Sequence, residues 1–214
     1  MTNMKEWTIR LADKLFQPIL LRMVKEYQSI DGWLSPREAT TLFLLARITR
    51  ANATVVEIGS WKGKSTYCLA KGLGGTGRLI AIDPFDASGE VGSVEEYKTK
   101  SGKKDLCSQF EENLSIRGVL NVVETWKRYS KDFVGEVPEI DVLFIDGDHS
   151  IEGCKFDYKN YAPHVKSGGL IAFHDYRPSR EGLGPTWVVE NLLTSSDQIR
   201  FIGCFDSLWV GQRC

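Results

Sequence analysis

Thr54-Val-Val-Glu-Ile-Gly-Ser-Trp-Lys-Gly-Lys-Ser65 is the stretch that decides the fold. Val55, Val56 and Ile58 form a short β-branched run suited to a parallel strand covered on both faces, and Tyr67, Leu69, Ala70 and Leu73 then recur at helical spacing. The unit reads strand, glycine turn, helix. Gly59 and Gly63 lack a Cβ, so the backbone can turn sharply and a ligand can come close, with helix-start amides facing it. A phosphate-binding P-loop needs four residues between its first glycine and Gly-Lys-Ser, but only Ser60, Trp61 and Lys62 separate Gly59 from Gly63. A dinucleotide fingerprint needs a second glycine where Trp61 stands, and that indole would obstruct a pyrophosphate. Glu57-x-Gly59-x-x-x-Gly63 suits a cationic, phosphate-free ligand. An ordinary tight strand-helix turn is the plainer alternative.

Arg78-Leu-Ile-Ala-Ile-Asp83 is a second apolar strand ending in an acid, about one βαβ step later, where a carboxylate can accept hydrogen bonds from ribose hydroxyls. Two further segments follow the same plan. Ile140-Asp-Val-Leu-Phe-Ile-Asp-Gly-Asp-His-Ser150 ends a strand at Asp146, and Lys166-Ser-Gly-Gly-Leu-Ile-Ala-Phe-His-Asp-Tyr176 ends one at His174-Asp175. From about residue 32 onward, these four motifs in order resemble the class I S-adenosylmethionine-dependent methyltransferases. The resemblance is closest to the small O-methyltransferases, both catechol-type enzymes and the sugar O-methyltransferases of antibiotic pathways. It implies an α/β, doubly wound, Rossmann-like sheet of seven mostly parallel strands.

The rest of the chain agrees with one compact catalytic domain, 51–214, preceded by a helical extension, 1–50. A chain of 214 residues can bury a full α/β core without staples. The net charge of −1 and the lack of a basic stripe argue against nucleic acid or an anionic membrane as partner and leave small molecules, and the resemblance implies a small hydroxylated substrate. Five cysteines without metal-ligand spacing read as free thiols in a reducing compartment. No signal peptide or membrane span is expected, so a cytoplasmic location is the default. Trp7, Leu11, Leu15, Ile19, Met23 and Tyr27 recur every four residues as one apolar stripe that packs on the domain or builds a homodimer, with Pro18 splitting or kinking the helix. Ser35-Pro36-Arg37-Glu38 reads as a capping box with proline at the first helical position. Residues 86–104 read as a long loop, either solvated or a substrate lid. Val119 to Val123 reads as a strand. Ile199 to Cys204 and Ser207 to Val210 read as a C-terminal antiparallel hairpin.

In open α/β sheets ligands bind beyond the carboxyl ends of the strands, so Glu57, Asp83, Asp146, His149, His174 and Asp175 are expected in one crevice. For the cofactor, S-adenosylmethionine, Gly59, Ser60, Trp61, Gly63 and Ser65 line the methionine end and Asp83 holds the ribose. Arg128 and Tyr129, with Ser130, follow the third strand where the resembled fold places adenine, and Asp146 borders the reactive end. Glu57 organises the glycine turn and attracts the ammonium or sulfonium charge. Trp126 either stacks on a ring or packs in the core.

A hydroxyl acceptor needs its proton removed or its pKa lowered. Asp146, His174 and Asp175 offer two carboxylates and an imidazole at adjacent strand ends, a three-ligand set for a divalent metal such as Mg²⁺ or Mn²⁺. In the resembled sugar enzymes, the acid after the fourth strand and an acidic pair after the fifth bind Mg²⁺. Asp146 and Asp175 match those positions, whereas His174 puts nitrogen where oxygen is usual, which favours manganese, iron or a metal-free site. His149, at Asp146-x-x-His149, matches the position of the catalytic base in the resembled enzymes, and a capping role is the alternative. His174 could share the acid-base work. Two other activities fit the same scaffold: a non-catalytic cofactor-binding protein, and a metal-dependent hydroxylase.

Overall fold

The computed structural model describes residues 4–88 and 94–214. Its centre is a seven-stranded sheet ordered β3-β2-β1-β4-β5-β7-β6. β1 (Thr54–Ile58), β2 (Arg78–Ile82), β3 (Val123–Trp126), β4 (Ile140–Ile145) and β5 (Val165–Phe173) run parallel, and β6 (Ile199–Phe205) and β7 (Leu208–Arg213) close one side antiparallel. The strand order reverses between β1 and β4, which opens a crevice at their carboxyl ends.

Period-two alternation divides the strand side chains between two cores. Val55, Leu79, Val142 and Leu170 face α1 (Met4–Val24), α2 (Pro36–Arg47), α3 (Lys64–Leu73) and α5 (Leu106–Ile116). Val56, Ile80, Leu143 and Ile171 face α6 (Ile151–Tyr161) and α7 (Gly184–Val188), the latter running on as a π-turn over Val189–Leu193. Every one of these eight strand residues is fully buried, as a sheet covered on both sides requires.

Four expectations change. Val94–Ser101 forms a helix, α4, inside the segment read as a loop, while 89–93 lie outside the described residues. β3 begins at Val123, because Leu120–Val122 is a 3₁₀ turn. α1 runs on through Pro18, so the proline does not split the helix. The expected stripe does not pack on the domain along its length: Trp7, Leu15, Ile19 and Met23 are exposed, whereas Tyr27 of the stripe is buried along with Ile9, Leu20 and Val24. At 3.6 residues per turn, a strict four-residue repeat drifts about 40° per step, so the row spirals around the helix instead of following one side.

Candidate active site

The strand ladder continues one residue past each strand end and sets the site in register. Gly59 N–H donates to the Ile82 carbonyl, Asp83 N–H to Trp126, Asp146 N–H to Ile58 and His174 N–H to Ile145. Gly59 is at φ +87°, and a Cβ there would lie 2.2 Å from the Asp146 carbonyl oxygen. Only glycine lets the β1 turn and the β4 end lie this close.

Above this edge lies a cleft of about 480 Å³, a size suited to a small ligand. Gly59, Ser60, Trp61, Ser65, Asp83, Tyr129 and Asp146 line it, as expected. Three of the expected cofactor residues do not. Glu57 shares the strand face of Val55, so it points beneath α3, where the hydroxyls of Ser60, Ser65 and Thr66 donate to its carboxylate. Burial raises its pKa to about 7 against those hydrogen bonds, which makes it an organiser of the turn with no surface on the cleft. Gly63 faces Phe110 and Leu114, and the Arg128 guanidinium stacks over the Phe133 ring. Trp126 also packs on Phe133, 4.6 Å between ring centroids, as part of the core.

Asp83 accepts from the backbone N–H groups of Ser60 and Trp61 with one oxygen and from Phe85 with the other. It therefore shapes the turn as well as bordering the cleft. The two lysines of the turn are engaged by protein groups, Lys64 at the wall of the cleft and Lys62 outside its lining. Lys62 donates to Asp31 and the Lys100 carbonyl, and Lys64 donates to the Gly32 carbonyl. This chemistry fits a phosphate-free nucleoside cofactor such as S-adenosylmethionine.

At the β4 and β5 ends, His174 is held between two acids. Its Nδ1 lies 3.0 Å from Asp146 Oδ1 and its Nε2 3.3 Å from Glu38 Oε2. A ring facing carboxylates through both nitrogens is protonated. Burial disfavours that charge, but the two acids outweigh it and hold the His174 pKa well above the ordinary value. Burial likewise opposes ionisation of Asp146 and Glu38, yet the His174 charge and hydrogen bonds bring both down to about 2.

Asp146, His174 and Asp175, the expected metal set, do not present three free ligand atoms to one ion. With both nitrogens turned to carboxylates, His174 offers no lone pair to an ion. Among the described residues the group that can surround a cation is instead Asp146, His149 and Asp175, with ligand atoms all within 4.8 Å of one another. One nitrogen and two carboxylates suit Mn²⁺ or Fe²⁺ better than an all-oxygen Mg²⁺ site. Asp175 holds its place in the left-handed region, φ +54°, and its carboxylate accepts from Arg177 at 2.9 Å.

A second cavity of about 850 Å³ adjoins the first, and Trp33, Tyr97, His149, His174 and Asp175 wall both. Its far side carries Tyr176, Arg177 and Asp206. Trp33, Trp61 and Tyr97 form an aromatic group with centroids 5.2–6.1 Å apart. Trp33, Tyr97 and Glu38 escape sequence reasoning. Glu38 carries a signal only as a helix cap, and Tyr97 sits in a stretch with no apolar period.

A methyltransferase-domain family profile matches residues 56–176, more than half of the chain. The chain is 32% identical over 133 residues to the uncharacterized protein R132 of Acanthamoeba polyphaga mimivirus, covering 59% of this chain and 53% of that protein. It is 30% identical over 136 residues to tapetum-specific methyltransferase 1 of Arabidopsis thaliana, covering 64% of this chain and 52% of that protein. It thus spans about half the length of the curated relatives it matches. The fold is similar to that of the O-methyltransferase TomG of Streptomyces achromogenes, involved in tomaymycin synthesis and solved with S-adenosylmethionine. That match has a TM-score of 0.64 at 16% identity and covers 92% of this chain and 88% of TomG. No helix among the described residues is long and apolar enough to cross a membrane. Matched by this profile over more than half of its length, the chain belongs to the methyltransferase-domain family, and its seven-stranded sheet with a closing antiparallel hairpin is the class I fold of S-adenosylmethionine-dependent enzymes.

Proposed function

We propose that this chain is an S-adenosylmethionine-dependent O-methyltransferase acting on a hydroxyl of a small sugar-like or catechol-like metabolite. The observation that carries the reading is the meeting of two cavities at one cluster, His149, His174 and Asp175. Bound in the first cleft, S-adenosylmethionine supplies a methyl group on a positively charged sulfur, already activated for transfer. Gly59, Ser60 and Ser65 then border its amino-acid part, Asp83 its ribose, and Tyr129 and Ser130 its base. The negative charge of Asp146 faces the reactive end. The acceptor occupies the second cavity, with Trp33 and Tyr97 as ring platforms, and the likeness to the O-methyltransferase TomG supports oxygen as the accepting atom.

His149 takes the hydroxyl proton, and Asp146, 3.4 Å away, stabilises the charged imidazole that results. Holding acceptor oxygen and donor in line is the larger share of the work. The clustering of Asp146, His149 and Asp175 supports a second reading, in which a divalent ion held there acts as a Lewis acid and His149 is its ligand.

Replacing His149 with glutamine is expected to abolish turnover while leaving S-adenosylmethionine affinity within about twofold, as read by calorimetry; an unchanged rate removes His149 from either role. Chelation separates the two readings. Activity that survives it assigns His149 as the base, and activity lost and then restored by Mn²⁺ assigns it as a ligand. A product heavier than the acceptor by one CH₂ identifies methyl transfer. Cofactor uptake with no product would favour a non-catalytic binding protein, and a product gaining oxygen would favour a hydroxylase.

A further inference from the structure

Glu38 lies on the second helix, 136 residues from His174 in sequence, yet it is buried to 4% exposure against the site. As a capping residue it needs only to accept from the Ser35 backbone N–H, which it does at 2.7 Å. It does far more than that. The same oxygen, Oε2, faces His174 Nε2, and Oε1 accepts from both the backbone N–H and the hydroxyl of Ser207, in the link between β6 and β7. One carboxylate thus joins the start of α2, the C-terminal hairpin and the end of β5. Neither Glu38 nor Ser207 falls within residues 56–176, the part matched by the family profile.

The consequence lies one bond further on. His174 can rotate about its side-chain bonds unless both nitrogens are held, and its Nδ1 is the contact that fixes Asp146 Oδ1 at 3.0 Å. Asp146 in turn lies against His149 at 3.4 Å. A chain of four groups, Glu38, His174, Asp146 and His149, therefore runs from α2 to the group that meets substrate. Catalytic groups need support of this kind, because small displacements of reacting atoms cost large factors in rate.

We propose that Glu38 is a positioning residue for methyl transfer: from α2 it fixes His174, and through His174 it fixes the orientation of Asp146 beside His149. The proposal rests on the methyltransferase reading of the site for its catalytic part, whereas the contact chain itself does not.

The test is Glu38→Gln, because glutamine still serves as the third residue of a capping box but lacks the charge opposite Nε2. Asp105→Ala is the comparison. Asp105 caps α5 through the Ser108 N–H, and its loss lowers stability without touching the chain of groups. Glu38→Gln is expected to lower kcat tenfold or more, with KM for S-adenosylmethionine within twofold. Asp105→Ala is expected to lower Tm while leaving kcat intact. The chain holds three histidines, so ¹⁵N-histidine NMR reads the contact without any turnover. The His174 Nε2–H resonance should be protected from exchange in the wild type and lost or strongly shifted in Glu38→Gln.

An unchanged His174 spectrum overturns the proposal, as does a kcat loss no larger than that of Asp105→Ala. Should the wild type methylate no acceptor at all, the methyltransferase reading falls, and the histidine spectrum alone then decides whether Glu38 positions this site.

Discussion

Glu57 shows how far a residue's neighbours can move its chemistry. Its place at the end of a strand suggests a charge aimed at the cofactor, but its strand face puts it under α3 among three hydroxyls, and burial raises its pKa from 4.5 to about 7. The folded value lies above the unfolded one, so between about pH 4.5 and 7 the native protein keeps a proton that the unfolded chain releases. Stability therefore falls as pH rises through that window, by about 3 kcal/mol from this group. Asp157, which burial raises to about 7 despite the Ser130 hydroxyl, acts in the same direction. Glu57→Gln should remove roughly half of this slope, measured as denaturant midpoints from pH 4.5 to 7. A slope as steep as that of the wild type would show that Glu57 is already ionised in the fold. Asp146 and His149 were legible as site residues because strand ends converge in a doubly wound sheet. The partner of His174 was not, since nothing local links Glu38 to a residue 136 positions away.

Among the elements, the β1 turn is the most constrained. Gly59 combines a positive φ with a backbone oxygen only 2.2 Å from where a Cβ would sit, so Gly59→Ala must both strain the turn and push the β4 end away. The expected result is a Tm several degrees lower, about 2 kcal/mol or more, and cofactor binding too weak for calorimetry. Native-like cofactor affinity in that variant would show that the turn can relax. The strand, turn and helix of this element could be read from the sequence, because β-branched run, glycine and helical period all agree locally, whereas the directions of Glu57 and Gly63 could not. α1 and α4 could not. The first carries a four-residue repeat that spirals instead of marking one side. The second has no buried residue, and its identity comes from Tyr97 packing on Trp33 and Trp61, contacts that only the fold supplies.

Across the whole molecule, the strand order and closing hairpin follow from alternating patterns and short connections, while the second cavity draws on parts that no local pattern joins. Trp33 precedes α2, Tyr97 belongs to α4 and Asp206 lies in the last link, and together with the β5 end they enclose one space. That space shares a wall with the first cleft. Two chambers side by side have a kinetic signature. Donor and acceptor must be resident together before any group moves, so initial-rate lines at several donor concentrations should intersect, and parallel lines would demand a methylated enzyme for which the arrangement has no need. The demethylated donor, for its part, should compete with fresh donor alone, since the two differ by a single methyl group and fit one chamber.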